Sequence, residues 1–493
     1  MSSHHDALNV SGMGNRERGP KTEHLEEEEA SSGDKAYDIT QFILQMMKKD
    51  SRFFPNNPSE ALPIFEASEV SLEKNLGQGE FGVVFSISAF HAHVEAEEAS
   101  PENGTNTTHD ESEIAEDIPR MDHEISSDPH DTPSVQVYFD GRIGQKDTPP
   151  GLQQQDLDLL LEPNVSKGYM RAHVMRDGIS RYAVKRLKKS LKDNALVQAT
   201  ADLAGEANFL KSLRHPNICK MRGTIGEPGK QGFAIVMDRL TITLREKMLE
   251  WKKLDDSSSL LSKLTKVLGS QSQSMREEKL VIRKEIYGEK LLAAYDVARA
   301  LRHLAEHSIV FRDLKPENLA FDLRGDLRLF DFGLAKELKE KDMTAPGMYH
   351  LTGMTGSRRY MAPEVIMRKD YGLAVDIYSC AILIWEMMSN RNAYSYLNRE
   401  KHFEMVVQRK KRPNLKMMIS KKVVPRDSNI HALVKESWSH DPRKRPGIEK
   451  ICDTLFSEIM SASNEEGSRV TLDRSTHLAA GSLKSRLDEP LWC

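Results

Sequence analysis

The sequence predicts an α+β chain of two unequal lobes, β-rich first and helical second. Two observations predict it. Up to Met237, short apolar-alternating runs are separated by glycine or Asp-Gly turns; from Leu291 onward apolar residues recur every three or four positions. Taken in order, Val70 to Phe90 alternates around Gly77, Gly79 and Gly82, which reads as two strands joined by a glycine turn. Tyr169 to Leu187 reads as two strands around Asp177-Gly178, a pair suited to a tight hairpin. Ala195 to Leu213 carries Leu196, Leu203, Ala207, Leu210 and Leu213 on one face, an amphipathic helix. Phe233 to Met237 is a further strand. Ala320 to Phe330 is a hairpin. Helices are expected over Leu291 to His307, Asp376 to Ser389, Ser428 to Ser437 and Ile448 to Ser461.

Composition sets what surrounds these elements. The chain has 493 residues, 39% hydrophobic and 29% charged, with a mean hydropathy of -0.55. Parts of it are therefore too polar to pack. The net charge of -4 conceals a split, with -15 on residues 91–162 and +18 on residues 163–493. Segment 91–162 cannot bury enough apolar area to offset its ordering entropy and is expected to be disordered, save a β-prone run from Val135 to Ile143. The division that follows is an acidic, largely disordered region over 1–65 and a folded domain over 66–460. That domain is interrupted by an acidic insertion at 91–167 and a Ser- and Gln-rich loop at 255–276. A polar tail follows over 461–493. Within the first region a weaker helical pattern covers Ile39 to Met47, and within the loop Leu260, Leu261, Leu264 and Leu268 have helical spacing. The cysteines Cys219, Cys380, Cys452 and Cys493 form no CxxC pair, which argues against a disulfide scaffold or structural zinc and for reduced thiols. The run Cys380 to Trp385 falls far short of the roughly 18 apolar residues of a membrane span. The first residues are polar, so no secretory signal is expected.

Several short motifs carry chemistry. Gly77-Gln78-Gly79-Glu80-Phe81-Gly82 fits a phosphate-binding spacing, but a strand-like run follows it rather than a helix. A dinucleotide fold is thereby disfavoured, and a glycine hairpin laid over phosphates, or an ordinary turn, remains. Lys185 lies in the strand Tyr182-Ala183-Val184-Lys185. Glu206 lies near the apolar face of the amphipathic helix, where an unpaired carboxylate is costly, so it wants a cation, and Lys185 is the natural one. In Phe311-Arg312-Asp313-Leu314-Lys315-Pro316-Glu317-Asn318 the proline forbids a helix. An aspartate to accept a hydroxyl proton, a lysine to neutralise phosphate and an amide to bind metal suit phosphoryl transfer. Asp331-Phe332-Gly333 adds a carboxylate beside a flexible glycine, a good Mg2+ ligand.

With Ala362-Pro363-Glu364 following in order, the chain resembles the eukaryotic protein kinase family from about Glu66 to Ser461. The resemblance implies a bilobal fold with ATP in the cleft between a β-rich lobe and a helical one. It implies that Gly77, Gly79 and Gly82 cover the ATP phosphates. Lys185 would grip them, held by Glu206. Asp313 would be the catalytic base, Lys315 would contact the transferred group, and Asn318 and Asp331 would hold Mg2+. Leu76, Val84, Ala183 and Ala320 would sandwich the adenine, with Asp238 to Leu240 as hinge and Met237 as gatekeeper. Phe311, Phe332, Leu210 and Met221 would stack between the lobes. Asp376 would brace the catalytic loop, and Arg445 would pair with Glu364. Phe311 stands where the family usually has histidine, and Lys185 lies 108 residues beyond Gly77 because the insertion separates the second and third strands.

The Lys315 and Glu317 version of the loop is similar to serine/threonine rather than tyrosine kinases, and Trp438 with Tyr378 to Met388 is most like the tyrosine-kinase-like branch. The resemblance thus implies transfer from Mg-ATP to Ser or Thr of protein substrates. An upstream kinase would act between Gly333 and Ala362, where Thr344, Tyr349, Thr352 and Thr355 are candidates, with Arg312 waiting for the phosphate, while Ser357 would contact Asp313 and Lys315 and stay unmodified. A pseudokinase scaffold is disfavoured because no catalytic residue is missing. A small-molecule phosphotransferase is disfavoured because Glu364 and Arg445 belong to a protein-substrate platform. No nucleic-acid partner is expected. Placement is expected to be cytoplasmic, and Arg409 to Arg412 reads better as a solvated face than as a nuclear signal.

Overall fold

The computed structural model describes residues 22–56, 62–79, 81–92, 163–267, 273–418 and 428–463. The first lobe is a six-stranded sheet. Its strands are β1 (Ile64–Phe65), β2 (Val70–Gln78), β3 (Gly82–Phe90), β4 (Tyr182–Leu187), β5 (Met221–Ile225) and β6 (Ala234–Asp238), in spatial order β1-β5-β6-β4-β3-β2. β1 runs parallel to β5 and every other pairing is antiparallel. The two-residue period of β4 puts Val184 in an outer core with Phe65, Ile87 and Tyr182, and Ala183 in the inner core facing the second lobe. The Asp177-Gly178 turn is observed, with both residues at positive φ, 52° and 74°.

Helices α1 (Thr22–Lys48), α2 (Pro163–Ala172) and α3 (Asp193–Ser212) belong to this lobe; α4 (Leu244–Val267), α5 (Gln273–Glu306), α6 (Ala374–Ser389), α7 (Ile430–Ser437) and α8 (Ile448–Ser463) form the second. Residues Val375 to Met388 of α6 are all buried, so this helix is core on every side. A small sheet of β7 (Leu240–Thr243), β8 (Leu319–Asp322) and β9 (Leu327–Leu329) joins the lobes.

Three expectations need correction. Residues 22–56 are not a solvated tail: they hold α1 and a short helical turn, with Ala36, Thr40 and Phe53 buried. Acidic composition hid a contact face whose partners lie more than a hundred residues away. The loop at 255–276 is helical up to Val267 and again from Gln273, so leucine spacing prevailed over serine content. The insertion ends earlier than 167, because Pro163 opens α2, and Tyr169 is helical rather than β. α2 is pinned to the sheet: buried Glu69 accepts from Lys167 Nζ at 3.0 Å and Arg171 at 2.9 Å, and Arg171 Nε donates to the His91 carbonyl at 2.9 Å. The run from Val135 to Ile143 and the tail beyond 463 lie outside the described residues.

Buried Lys290 of α5 donates to Asn390 Oδ1 at 2.7 Å and lies 5.7 Å from the Trp251 ring centroid. Burial pulls its pKa down from 10.5 to about 8. The unfolded chain therefore holds a proton that the folded chain sheds between those values, and wild-type stability should rise with pH across about 8 to 10.5. Lys290→Met is expected to be about 1–2 kcal/mol more stable at pH 7, with the difference shrinking across that window. Urea titrations at several pH values test this, and a constant difference would refute it.

Candidate active site

β4 delivers Lys185 from the inner face of the sheet. Its Nζ donates to Glu206 Oε2 of α3 at 2.6 Å and to Asp331 Oδ1 at 3.0 Å. Burial opposes the lysine's charge, yet the two carboxylates outweigh burial and hold its pKa above the ordinary value. Burial likewise opposes ionisation of Asp331, and Lys185 more than reverses it, holding that carboxyl below the usual carboxylate range. One cation thus joins sheet, helix and metal-binding motif. Above it lies the glycine turn: Gly79 N–H donates to the Gly82 carbonyl at 2.9 Å, and a Cβ at Gly82 would stand 3.7 Å from Lys185 Cε. Glu80 lies outside the described residues.

The catalytic loop is held from below. Asp376, on the all-buried α6, accepts the backbone N–H groups of Phe311 at 2.7 Å and Arg312 at 2.9 Å. Burial raises this carboxyl to about 6, with the two N–H donors opposing that rise. They also hold Arg312 at φ 71°, a left-handed conformation costing about 1–3 kcal/mol when unsupported. Asp313 then takes three donors: Lys315 Nζ at 2.6 Å and Asn318 Nδ2 at 3.0 Å on Oδ2, and Ser357 N–H at 2.8 Å on Oδ1. Ser357 was expected to touch Asp313 and Lys315; it meets Asp313 through its backbone. The turn that brings it there needs Gly356, whose φ is +92° and whose Cβ would collide with the Arg312 carbonyl.

Asn318 spends its amide nitrogen on Asp313, so its amide oxygen is the atom that could ligate a cation along with the Asp331 carboxylate. Such an all-oxygen set fits a hard divalent cation. Among the described residues no group of three or more His, Cys, Asp or Glu could hold a metal ion.

Leu76, Val84, Ala183, Met237 and Leu240 share one apolar cluster, and Ala320 is buried on β8, directly opposite Thr243 of β7. Met237 faces Ala183 across the β4–β6 ladder. Asp238 differs: its carboxylate is taken by Arg222 at 2.6 Å and 3.1 Å, its N–H donates to the Lys220 carbonyl at 3.0 Å, and its carbonyl accepts from Cys219 Sγ at 3.8 Å. Between the lobes Phe311 meets Phe332 edge-on at 5.2 Å, and Leu210 and Met221 lie in the same core. Phe209, absent from the sequence assignment, contacts Phe332 at 6.4 Å. Its signal was its place three residues after Glu206, one turn along the same helix. Arg445 grips Glu364 with paired bonds of 2.6 Å and 2.9 Å.

This arrangement defines a phosphoryl-transfer site between two lobes. Residues 166–457 match the family model for the protein kinase domain, and the chain belongs to that family. It is similar to a probable serine/threonine-protein kinase of Dictyostelium discoideum, 27% identical over 300 residues (60% of this chain, 19% of the relative). It is also similar to serine/threonine-protein kinase STY17 of Arabidopsis thaliana, 33% identical over 176 residues (36% and 28%). A third relative, serine/threonine-protein kinase VIK of the same plant, is 30% identical over 292 residues (56% of each). The chain thus spans from about a fifth to just over half of the length of these relatives. No helix among the described residues is long and apolar enough to cross a membrane.

Proposed function

We propose that the chain transfers the γ-phosphoryl group of Mg-ATP to serine or threonine hydroxyls of protein substrates. The observation that carries this reading is the closed set Lys185–Glu206–Asp331 standing with Asp313, Lys315 and Asn318. Lys185 and the glycine turn would orient the phosphates. Asn318 and Asp331 would hold Mg2+, which supplies neutralisation of phosphate charge. Asp313 orients the acceptor hydroxyl and takes its proton, while Lys315, 2.6 Å from Asp313, supplies positive charge beside the transferred group. A radiolabelled-ATP assay on a mixed protein panel with phosphoamino-acid analysis tests this. Label on serine or threonine supports the reading, and no transfer to any acceptor refutes it.

Control by an upstream kinase is part of the proposal. Arg312 NH1 already lies 3.0 Å from Thr352 Oγ1, and Thr355 Oγ1 lies 3.2 Å from the same atom. Burial lowers the pKa of Lys336, and the nearby Arg312 guanidinium lowers it further, so two cations share this spot. A phosphate on Thr352 would bring up to two negative charges to them and fix the segment. Thr352→Ala with Thr355→Ala is expected to lower activity roughly tenfold or more. Full activity in the double variant, with no phosphate elsewhere on the segment by mass spectrometry, would sink the idea.

A further inference from the structure

Residues 34–56 lie far outside the family match, which starts at 166, yet they reach the site from behind. α1 lands first on the β5–β6 turn. Ala36 and Thr40 are buried, Gln41 Nε2 donates to the Pro228 carbonyl at 3.0 Å, and a Cβ at Gly229 would stand 3.1 Å from both Tyr37 and Thr40. Met47 then lies on α3, its sulfur 3.7 Å from where a Cβ would stand at Gly205, the neighbour of Glu206.

The end of α1 is held by the segment that follows Asp331-Phe332-Gly333. Lys339 Nζ donates to the carbonyls of Met46, Met47 and Lys49 at 2.8, 2.9 and 2.5 Å. These are the C-terminal carbonyls that a helix leaves without partners. Asp50 pairs with Lys341 at 2.7 Å, and Glu337 accepts the N–H groups of Arg52 and Phe53 at 2.8 Å and 2.9 Å. Phe53, itself buried, stacks on Phe209 at 6.2 Å and meets His307 edge-on at 5.3 Å. A row of rings therefore runs Phe53–Phe209–Phe332–Phe311.

One segment thus grips both partners of Lys185. Outward movement of α3, which carries Glu206, would break the Phe53–Phe209 and Met47 contacts. Movement of the segment after Gly333 would break the bonds to Glu337 and Lys339. In this structure the contacts to α3 and to the segment after Gly333 coexist with Glu206 and Asp331 both on Lys185, so the segment favours that arrangement over one in which either element has moved.

We infer that residues 34–56 are a built-in brace for the kinase reaction and that Phe53 is a positioning residue acting on Glu206 and Asp331 through Phe209 and Phe332. This rests on the kinase reading for its rate effects. The test uses the full chain as wild type, Phe53→Ala, Phe53→Leu and Gly229→Val, with kcat, KM for ATP and amide hydrogen exchange measured on each. Phe53→Ala is expected to lower kcat/KM tenfold or more with KM for ATP raised. It should also speed exchange in residues 193–212 while leaving 374–389 unchanged. Phe53→Leu should recover most of both. Gly229→Val, which crowds Tyr37 and Thr40 where α1 lands and also strains the β5–β6 turn, where φ is +95°, should move both in the same direction, and it decides the matter where Phe53→Ala gives too little folded protein. Unchanged exchange in residues 193–212 in both variants, or protection lost equally in both helices, overturns the brace. A wild type without transfer activity counts against the kinase reading, and the exchange pattern then still decides the brace.

Discussion

Asp313→Asn should lower the rate of phosphoryl transfer by about two to four orders of magnitude. The carboxylate takes three donors, with the Ser357 N–H on one oxygen and Lys315 and Asn318 on the other. An amide offers one acceptor in place of two, so either Ser357 or the Lys315–Asn318 pair must face an NH2 group. The variant loses the proton acceptor and the geometry around it together. Nucleotide affinity should stay close to wild type, because Lys185, Glu206 and Asp331 form a separate set of contacts. Single-turnover transfer and fluorescent nucleotide titration separate the two effects. Wild-type turnover in this variant would overturn the assignment of Asp313.

Arg445→Ala should be the costliest single change to stability. The guanidinium is fully buried and the Glu364 carboxylate nearly so, at 5% exposure. Arg445 also donates to the carbonyls of Ser439 and Ala374 at 3.0 Å and 2.8 Å and lies 5.2 Å from the Tyr378 ring centroid. Its removal leaves a buried carboxylate without its cation, worth about 3–5 kcal/mol. Thermal and urea unfolding should both report that loss. Replacing both partners by methionine should recover part of it, since the penalty lies in the orphaned charge more than in the absent pair. A melting point within a degree or two of wild type would show that the pair contributes little.

The lobes and most of the site were legible because their signals are local. Gly77 to Gly82 is flanked by β alternation on both sides, and Phe311 to Asn318 carries its chemistry within eight residues. The Lys185–Glu206 pair was legible for an energetic reason: a carboxylate near an apolar helix face demands a cation. What escaped was long-range or mediated by backbone. α1 has a short-range signature dominated by its glutamates, while its stability comes from a landing on Gly229, Gly205 and Lys339. That Ser357 meets Asp313 through its backbone N–H escaped, because every residue but proline carries that group. Asp238 was read as part of the hinge, but its side chain answers to Arg222, one strand over, and no spacing rule announces such a partner.

The clamp of Lys167 and Arg171 on Glu69 bears on how this domain accommodates a long interruption. The chain leaves the sheet at Phe90, and Arg171 returns to donate to the carbonyl of His91, its neighbour. The two ends are therefore fastened by contacts made within the folded lobe. Closing a loop between fixed ends costs only about 0.6 kcal/mol more for each doubling of its length. The number of residues between these anchors is therefore nearly neutral for the fold, and selection can lengthen, shorten or rewrite that stretch while β3 and β4 keep their register.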